Sequence, residues 1–112
     1  MGRVVEYSER SRTTMKIVWS PQAVTDLGAV RAFIAQDDQE AARRITLRII
    51  DSVETALVDN PHIGRAGRVP STREFVVAKM PFIVPYRVKD KQLHVLRVYH
   101  VTRRWPEKFG KD

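Results

Sequence analysis

An α+β fold is predicted by the sequence: β-α-α-β-β-β, an antiparallel sheet with a helical hairpin packed on one face. Three observations predict it. Two stretches between Pro21 and Asn60 repeat their apolar residues at three- and four-residue steps, the period of an amphipathic helix. A loop rich in Gly and Pro, Pro61 to Thr72 (PHIGRAGRVPST), follows them. The chain then reads as three short runs of β-formers between Arg73 and Val101. Helices gathered before strands place the hairpin on one face of one sheet.

Each element has its own signal. Residues 1–14 (MGRVVEYSERSRTT) show no period and read as a weakly ordered N-terminal extension, with residues 15–112 as the single domain. Met15 opens MKIVWS, a first strand of β-formers Ile17, Val18 and Trp19. Ser20-Pro21 starts the first helix: Ser20 accepts from the orphan amides, and Pro21 at the first helical position loses nothing by lacking an N–H. Val24, Leu27, Val30, Phe33 and Ile34 form its expected apolar stripe, and Gly28 within it is expected to admit a close neighbour. Asp37-Asp38-Gln39-Glu40 supplies the next cap with acidic groups where the dipole favours them. Ala42, Ile45, Ile49, Val53, Ala56 and Leu57 share one face of the second helix, which Asn60-Pro61 stops. So short a break makes the two helices an antiparallel hairpin. Strands are expected at Arg73–Lys79 and Phe82–Lys89, turned at Met80-Pro81, and at Gln92–Val101, turned at Asp90-Lys91. Along the last strand, Leu93, Val95 and Arg97 are expected to point one way, and His94, Leu96 and Val98 the other. Pro85 cannot donate to a ladder and belongs at a bulge or an edge.

The 112 residues, 43% hydrophobic, suit one domain with one modest core and exclude disorder. No run of about 18 apolar residues occurs, so a transmembrane helix is not expected. The absence of an apolar segment near Met1 and of cysteine points to a cytoplasmic protein without disulfides or thiolate chemistry. The net charge of +7 is unevenly placed. Residues 15–60 carry 5 basic and 7 acidic side chains, and residues 61–112 carry 12 and 4. A basic second half calls for an anionic partner, nucleic acid or acidic protein.

No cofactor is expected. The histidines, His62, His94 and His100, fall in different elements without ligand spacing, so no metal site is expected. Gly64 and Gly67 precede a strand rather than a helix, which does not make a phosphate-cradling loop; their expected use is tight turning. Arg65 and Arg68 beside them are available to phosphates or acidic side chains. The basic sheet permits two kinds of chemistry. In one, arginines steady a scissile phosphate while His100 or a carboxylate moves protons. In the other, the same surface only binds. Trp105 and Phe109 read as core or docking anchors.

Taken in order, MKIVWSPQAVTDL, NPHIGRAGRVPSTREFVV, PFIVPYRV and LHVLRVYHVTRRWP resemble the RelE/ParE superfamily of toxins from type II toxin–antitoxin modules, over Met15 to about Phe109. The resemblance implies a growth-inhibiting toxin held inactive by a co-encoded antitoxin, whose acidic C-terminal segment wraps it, with higher-order toxin–antitoxin assembly. RelE-like members cut messenger RNA in the ribosome with two lysines, two arginines and a tyrosine. The corresponding positions here are Glu74 and Val76, Ile83 and Arg103, and Phe109, of which Arg103 alone matches. ParE-like members poison DNA gyrase without catalysing a reaction, and the long hairpin from Pro21 to Asn60 is closer to theirs. The implied surface for target or antitoxin is Arg65, Arg68, Arg73, Arg87, Arg97, Arg103, Arg104 and Trp105. The alternative is a metal-independent, ribosome-dependent ribonuclease using Arg73, Arg87, Arg97, His100 and Arg103.

Overall fold

The structure, a computed structural model, describes residues 15–101. The expected N-terminal extension, and Arg103, Arg104, Trp105 and Phe109, lie outside the described residues. The elements run β1 (Lys16–Trp19), α1 (Pro21–Ala35), α2 (Gln39–Asp59), β2 (Arg65–Ala66), β3 (Arg73–Val76), β4 (Phe82–Lys89), β5 (Gln92–Val95) and β6 (Tyr99–His100). Neither helix is long and apolar enough to cross a membrane. The strands form one sheet in the order β1-β5-β4-β3-β2, with β6 also pairing β4. All pairs are antiparallel except β1 with β5, which run parallel. A hairpin turn forces strands to reverse; the helical crossover after β1 does not, so β1 adds to the antiparallel meander in parallel.

The helix starts follow the chemistry of their caps. The Ser20 hydroxyl accepts from Ala23 N–H (3.0 Å) and donates to the Leu96 carbonyl (2.9 Å), tying the start of α1 to the end of β5. Asp38 caps α2 by accepting from Ala41 N–H at 3.0 Å. Ala23 and Leu27 of α1, and Ile49, Val53 and Leu57 of α2, pack on Val84, Tyr86, Leu93 and Val95 of the sheet. The stripe expected on α1 is rotated: Val24 is 54% exposed and Phe33 73%, while Asp26 is buried in their stead. Gly28 admits no neighbour either, because a Cβ there would meet open space.

The expected third strand of the meander is broken. β4 pairs Tyr86 with Val95 and Ile83 with Tyr99. Val84 and Pro85 therefore face three residues, Leu96 to Val98, which is a one-residue bulge. Pro85 sits opposite it, unable to donate, and accepts from Leu96 N–H at 2.9 Å. The extra residue inverts the alternation. Val98 joins Leu93 and Val95 in the helix-side core, while Leu96 packs with Tyr99 and Val69 in a smaller cluster. Leu96 and Val98, expected on one side, lie on opposite sides.

Candidate functional site

Four of the basic residues read from the sequence are tied into the fold. Glu74, 2% exposed in mid-β3, is the centre of a latch. Arg65 reaches its Oε1 through Nε and Nη2, both at 3.1 Å, while the Arg68 backbone N–H donates to Oε2 at 2.8 Å and its Nε lies 3.6 Å away. A buried carboxylate needs such partners to remain in place. Arg65 and Arg68 therefore do meet an acidic side chain, and it belongs to this chain. Arg73 donates through Nη1 to the carbonyls of His62 (3.0 Å) and Gly64 (2.8 Å). The Tyr86 hydroxyl donates to Pro61 C=O (2.7 Å) and accepts from Gly64 N–H (2.9 Å). Burial pushes the Tyr86 phenol above its ordinary pKa, against the pull of the Gly64 bond and the Arg73 charge.

The loop glycines serve close approach. A Cβ on Gly64 would lie 2.7 Å from the Tyr86 hydroxyl oxygen, and one on Gly67 would overlap Thr72. The loop from Pro61 to Thr72 is thus clamped from both ends.

A second clamp joins α1 to the bulge. Arg97 grips Asp26 with two bonds, Nε to Oδ2 at 2.8 Å and Nη2 to Oδ1 at 3.0 Å, and Asp26 Oδ2 also accepts from Val98 N–H at 2.9 Å. The Asp26 hydrogen bond holds the Arg97 guanidinium above its ordinary pKa, against the effect of burial. The guanidinium also lies 4.8 Å over the Tyr99 ring. Sequence reading missed Asp26 altogether; its only signal is a carboxylate between apolar positions of a helix.

Beside this clamp opens a groove of about 820 Å³, between α1, the first half of α2 and the β3–β4 turn. Val30, Phe33, Ile34, Met80 and Phe82 give it an apolar lining. Arg44, Arg48, Lys79 and His100, all exposed, surround that lining, and Asp26 lies at its buried side. His100 packs edge-on against Phe82, with centroids 5.6 Å apart and rings at 84°. An apolar trough bordered by cations suits an amphipathic segment with acidic flanks.

The residues of the ribonuclease alternative do not converge among the described residues. Arg73 turns to the loop carbonyls, Arg97 is bonded to α1 and His100 lines the groove. Arg87 projects from the opposite face of β4 to Tyr86 and lines a separate hollow with Pro70 and Ser71. No group of three or more His, Cys, Asp or Glu among the described residues is placed to hold a metal ion.

Comparison with known proteins places this architecture. Residues 17–105 match the family described as the ParE toxin of the type II toxin–antitoxin system parDE. The protein Y4kP of Sinorhizobium fredii is 40% identical over 92 residues, covering 82% of this chain and 94% of its own. Toxin RelE2 of Caulobacter vibrioides is 34% identical over 88 residues, covering 79% and 97%. A solved structure of the chromosomal ParDE toxin–antitoxin system from P. aeruginosa superposes with a TM-score of 0.70 at 28% identity, covering 79% of this chain and 97% of that one. With the helical hairpin on its sheet and this match over most of its length, the chain belongs to the ParE toxin family of type II toxin–antitoxin systems.

Proposed function

We propose that this toxin stops growth by binding DNA gyrase, in the cytoplasm, and that a cognate antitoxin neutralises it by laying an acidic, amphipathic segment in the groove beside α1. Membership of the family implies the antitoxin; the target and the docking place are the proposal. Glu74 carries it. Where a RelE-like nuclease aligns a lysine, this chain has a buried carboxylate holding Arg65 and Arg68, and Val76 and Ile83 stand at two further cationic positions. None of the three positions offers a cation to a phosphate: Glu74 and Ile83 are buried, Val76 is aliphatic, and the arginines over Glu74 are held by its carboxylate. The arginines nearby steady a loop and are not arrayed around a reacting phosphorus. The role as a plasmid-stabilising module and assembly into larger toxin–antitoxin complexes belong to the same reading.

Induced expression without antitoxin tests it. A gyrase poison triggers the DNA-damage response before translation falls. A ribosome-dependent ribonuclease instead cuts messenger at the ribosomal A site and stops translation first, which would overturn the proposal. Unchanged growth would overturn both readings.

A further inference from the structure

The face of the sheet turned away from the helices carries a surface that neither the latch nor the groove uses. Alternation decides which side chains reach it. Ile17 and Trp19 of β1, Leu93 and Val95 of β5, and Tyr86 and Val88 of β4 pack into the helix-side core. Lys16 and Val18, Gln92 and His94, and Arg87 and Lys89 therefore project from the other face. The register sets them in two rows: Lys16, Gln92 and Lys89 in one, Val18, His94 and Arg87 in the next. Each row crosses three strands, about 10 Å, and the rows are about 7 Å apart. Lys91 stands in the adjoining turn with φ 63°. Lys16, Lys89 and Lys91 are exposed, and Asp90 is the one carboxylate of that turn.

The far end of β4 is open as well. No residue of β3 pairs with it beyond Tyr86, and a hollow of about 550 Å³ separates Pro70 and Ser71 from Arg87 and Lys89. Ser71 is held there at φ 68°, a conformation that a non-glycine residue adopts at a cost.

We infer that this surface binds the phosphodiester backbone of nucleic acid without regard to sequence. A docked acidic peptide needs apolar anchors for affinity. The large exposed apolar side chains, Val24, Phe33, Leu47, Ile63, Val76 and Val101, all lie outside the two rows. What the rows and the adjoining turn offer is the charge of Lys16, Arg87, Lys89 and Lys91, with the Ser71 hydroxyl and the Gln92 amide as neutral donors, and that suits phosphate oxygens. The rows hold no Phe, Tyr or Trp, and their one ring, His94, is bonded to the Gln92 side chain at 3.1 Å, so the surface lacks a stacking platform for bases. It is separate from the groove and stands whether the target is gyrase or the ribosome.

The test is fluorescence anisotropy of the full-length toxin with a short labelled duplex DNA, across salt. Neutralising three to four phosphates weakens binding roughly a hundredfold between 50 and 200 mM salt. Lys16→Glu with Lys89→Glu weakens binding at low salt by about tenfold or more, and Arg87→Gln with Lys91→Gln does so by about half as much on a logarithmic scale. A control of equal charge change on the helices, Arg31→Glu with Arg43→Glu, alters it less than about twofold. Thermal melts confirm that each variant folds. Absence of binding at low salt, or equal weakening by patch and control variants, overturns the inference. Displacement by polyglutamate as effective as by unlabelled DNA of equal charge makes the surface an acidic-protein site and also overturns it.

Discussion

The Glu74 latch and the groove beside α1 draw on the same kinds of residue and use them in opposite ways. At the latch, arginines close on a buried carboxylate and on loop carbonyls, and their charge is taken up inside the fold. At the groove, Arg44, Arg48 and Lys79 stand exposed around an apolar trough. Net charge alone does not distinguish them. A basic sequence tells how much positive charge there is; buried carboxylates decide how much of it is left for partners. Here Glu74 and Asp26 engage Arg65, Arg68 and Arg97, three of the eight residues read as partner-binding. Arg65 and Arg68 keep side chains 55% and 48% exposed, so a partner still reaches their outer edges.

The sharpest way to break this contrast is on the anchored side. Arg97→Ala removes two of the three hydrogen bonds described for the buried Asp26 carboxylate and is expected to lower stability by about 3 kcal/mol, read from the denaturant midpoint. Lost toxicity in this variant therefore reports unfolding before it reports target binding, and only antitoxin affinity measured on folded protein separates the two. On the open side, Phe33→Ala leaves stability within about 0.5 kcal/mol because the ring is 73% exposed. It weakens antitoxin binding by about 2 kcal/mol by calorimetry if the ring is an anchor.

Tyr86→Phe probes the loop clamp. Losing the bond to Pro61 and leaving Gly64 N–H without its acceptor costs about 1.5 kcal/mol. The phenol also gives a pH signature. Its pKa is raised in the folded state from 10.0, so the unfolded chain releases the proton first. The clamp's stabilisation is whole below that value and is lost as pH rises through the folded pKa. Alkaline titration of stability should show this loss in the parent and not in Tyr86→Phe. The smallest change concerns the outer side of α1: Gly28→Ala, with open space for its Cβ, should stabilise by about 0.7 kcal/mol in thermal melts.

Much of the fold was legible in local chemistry. Ser20-Pro21 marks the start of α1, Asn60-Pro61 the end of α2, and Asp90-Lys91 a tight turn in which both residues take positive φ. Pro85, through its missing donor, pointed to a bulge or an edge, and it lies opposite a bulge in the partner strand. What stayed hidden depends on partners distant in sequence. The Asp26–Arg97 bond spans 71 residues, and no period in α1 announces that its buried face includes a carboxylate while Phe33 is left outside. The parallel direction of β1 is set by a crossover with no turn to read. Glu74 was visible as the wrong residue for a nuclease, yet its role as the centre of an arginine latch needed the loop to be folded over it. The groove was not legible because it combines α1, α2 and a strand turn that meet only in three dimensions.

The central claim, that this toxin acts by binding gyrase and not by cutting RNA, is tested most directly by supercoiling of relaxed plasmid by purified gyrase with the purified toxin added. Binding predicts dose-dependent loss of supercoiling that stoichiometric antitoxin prevents, with translating ribosomes leaving their messenger intact under the same conditions. Full supercoiling in a large excess of folded toxin, with messenger cleaved at the ribosomal A site, would contradict it.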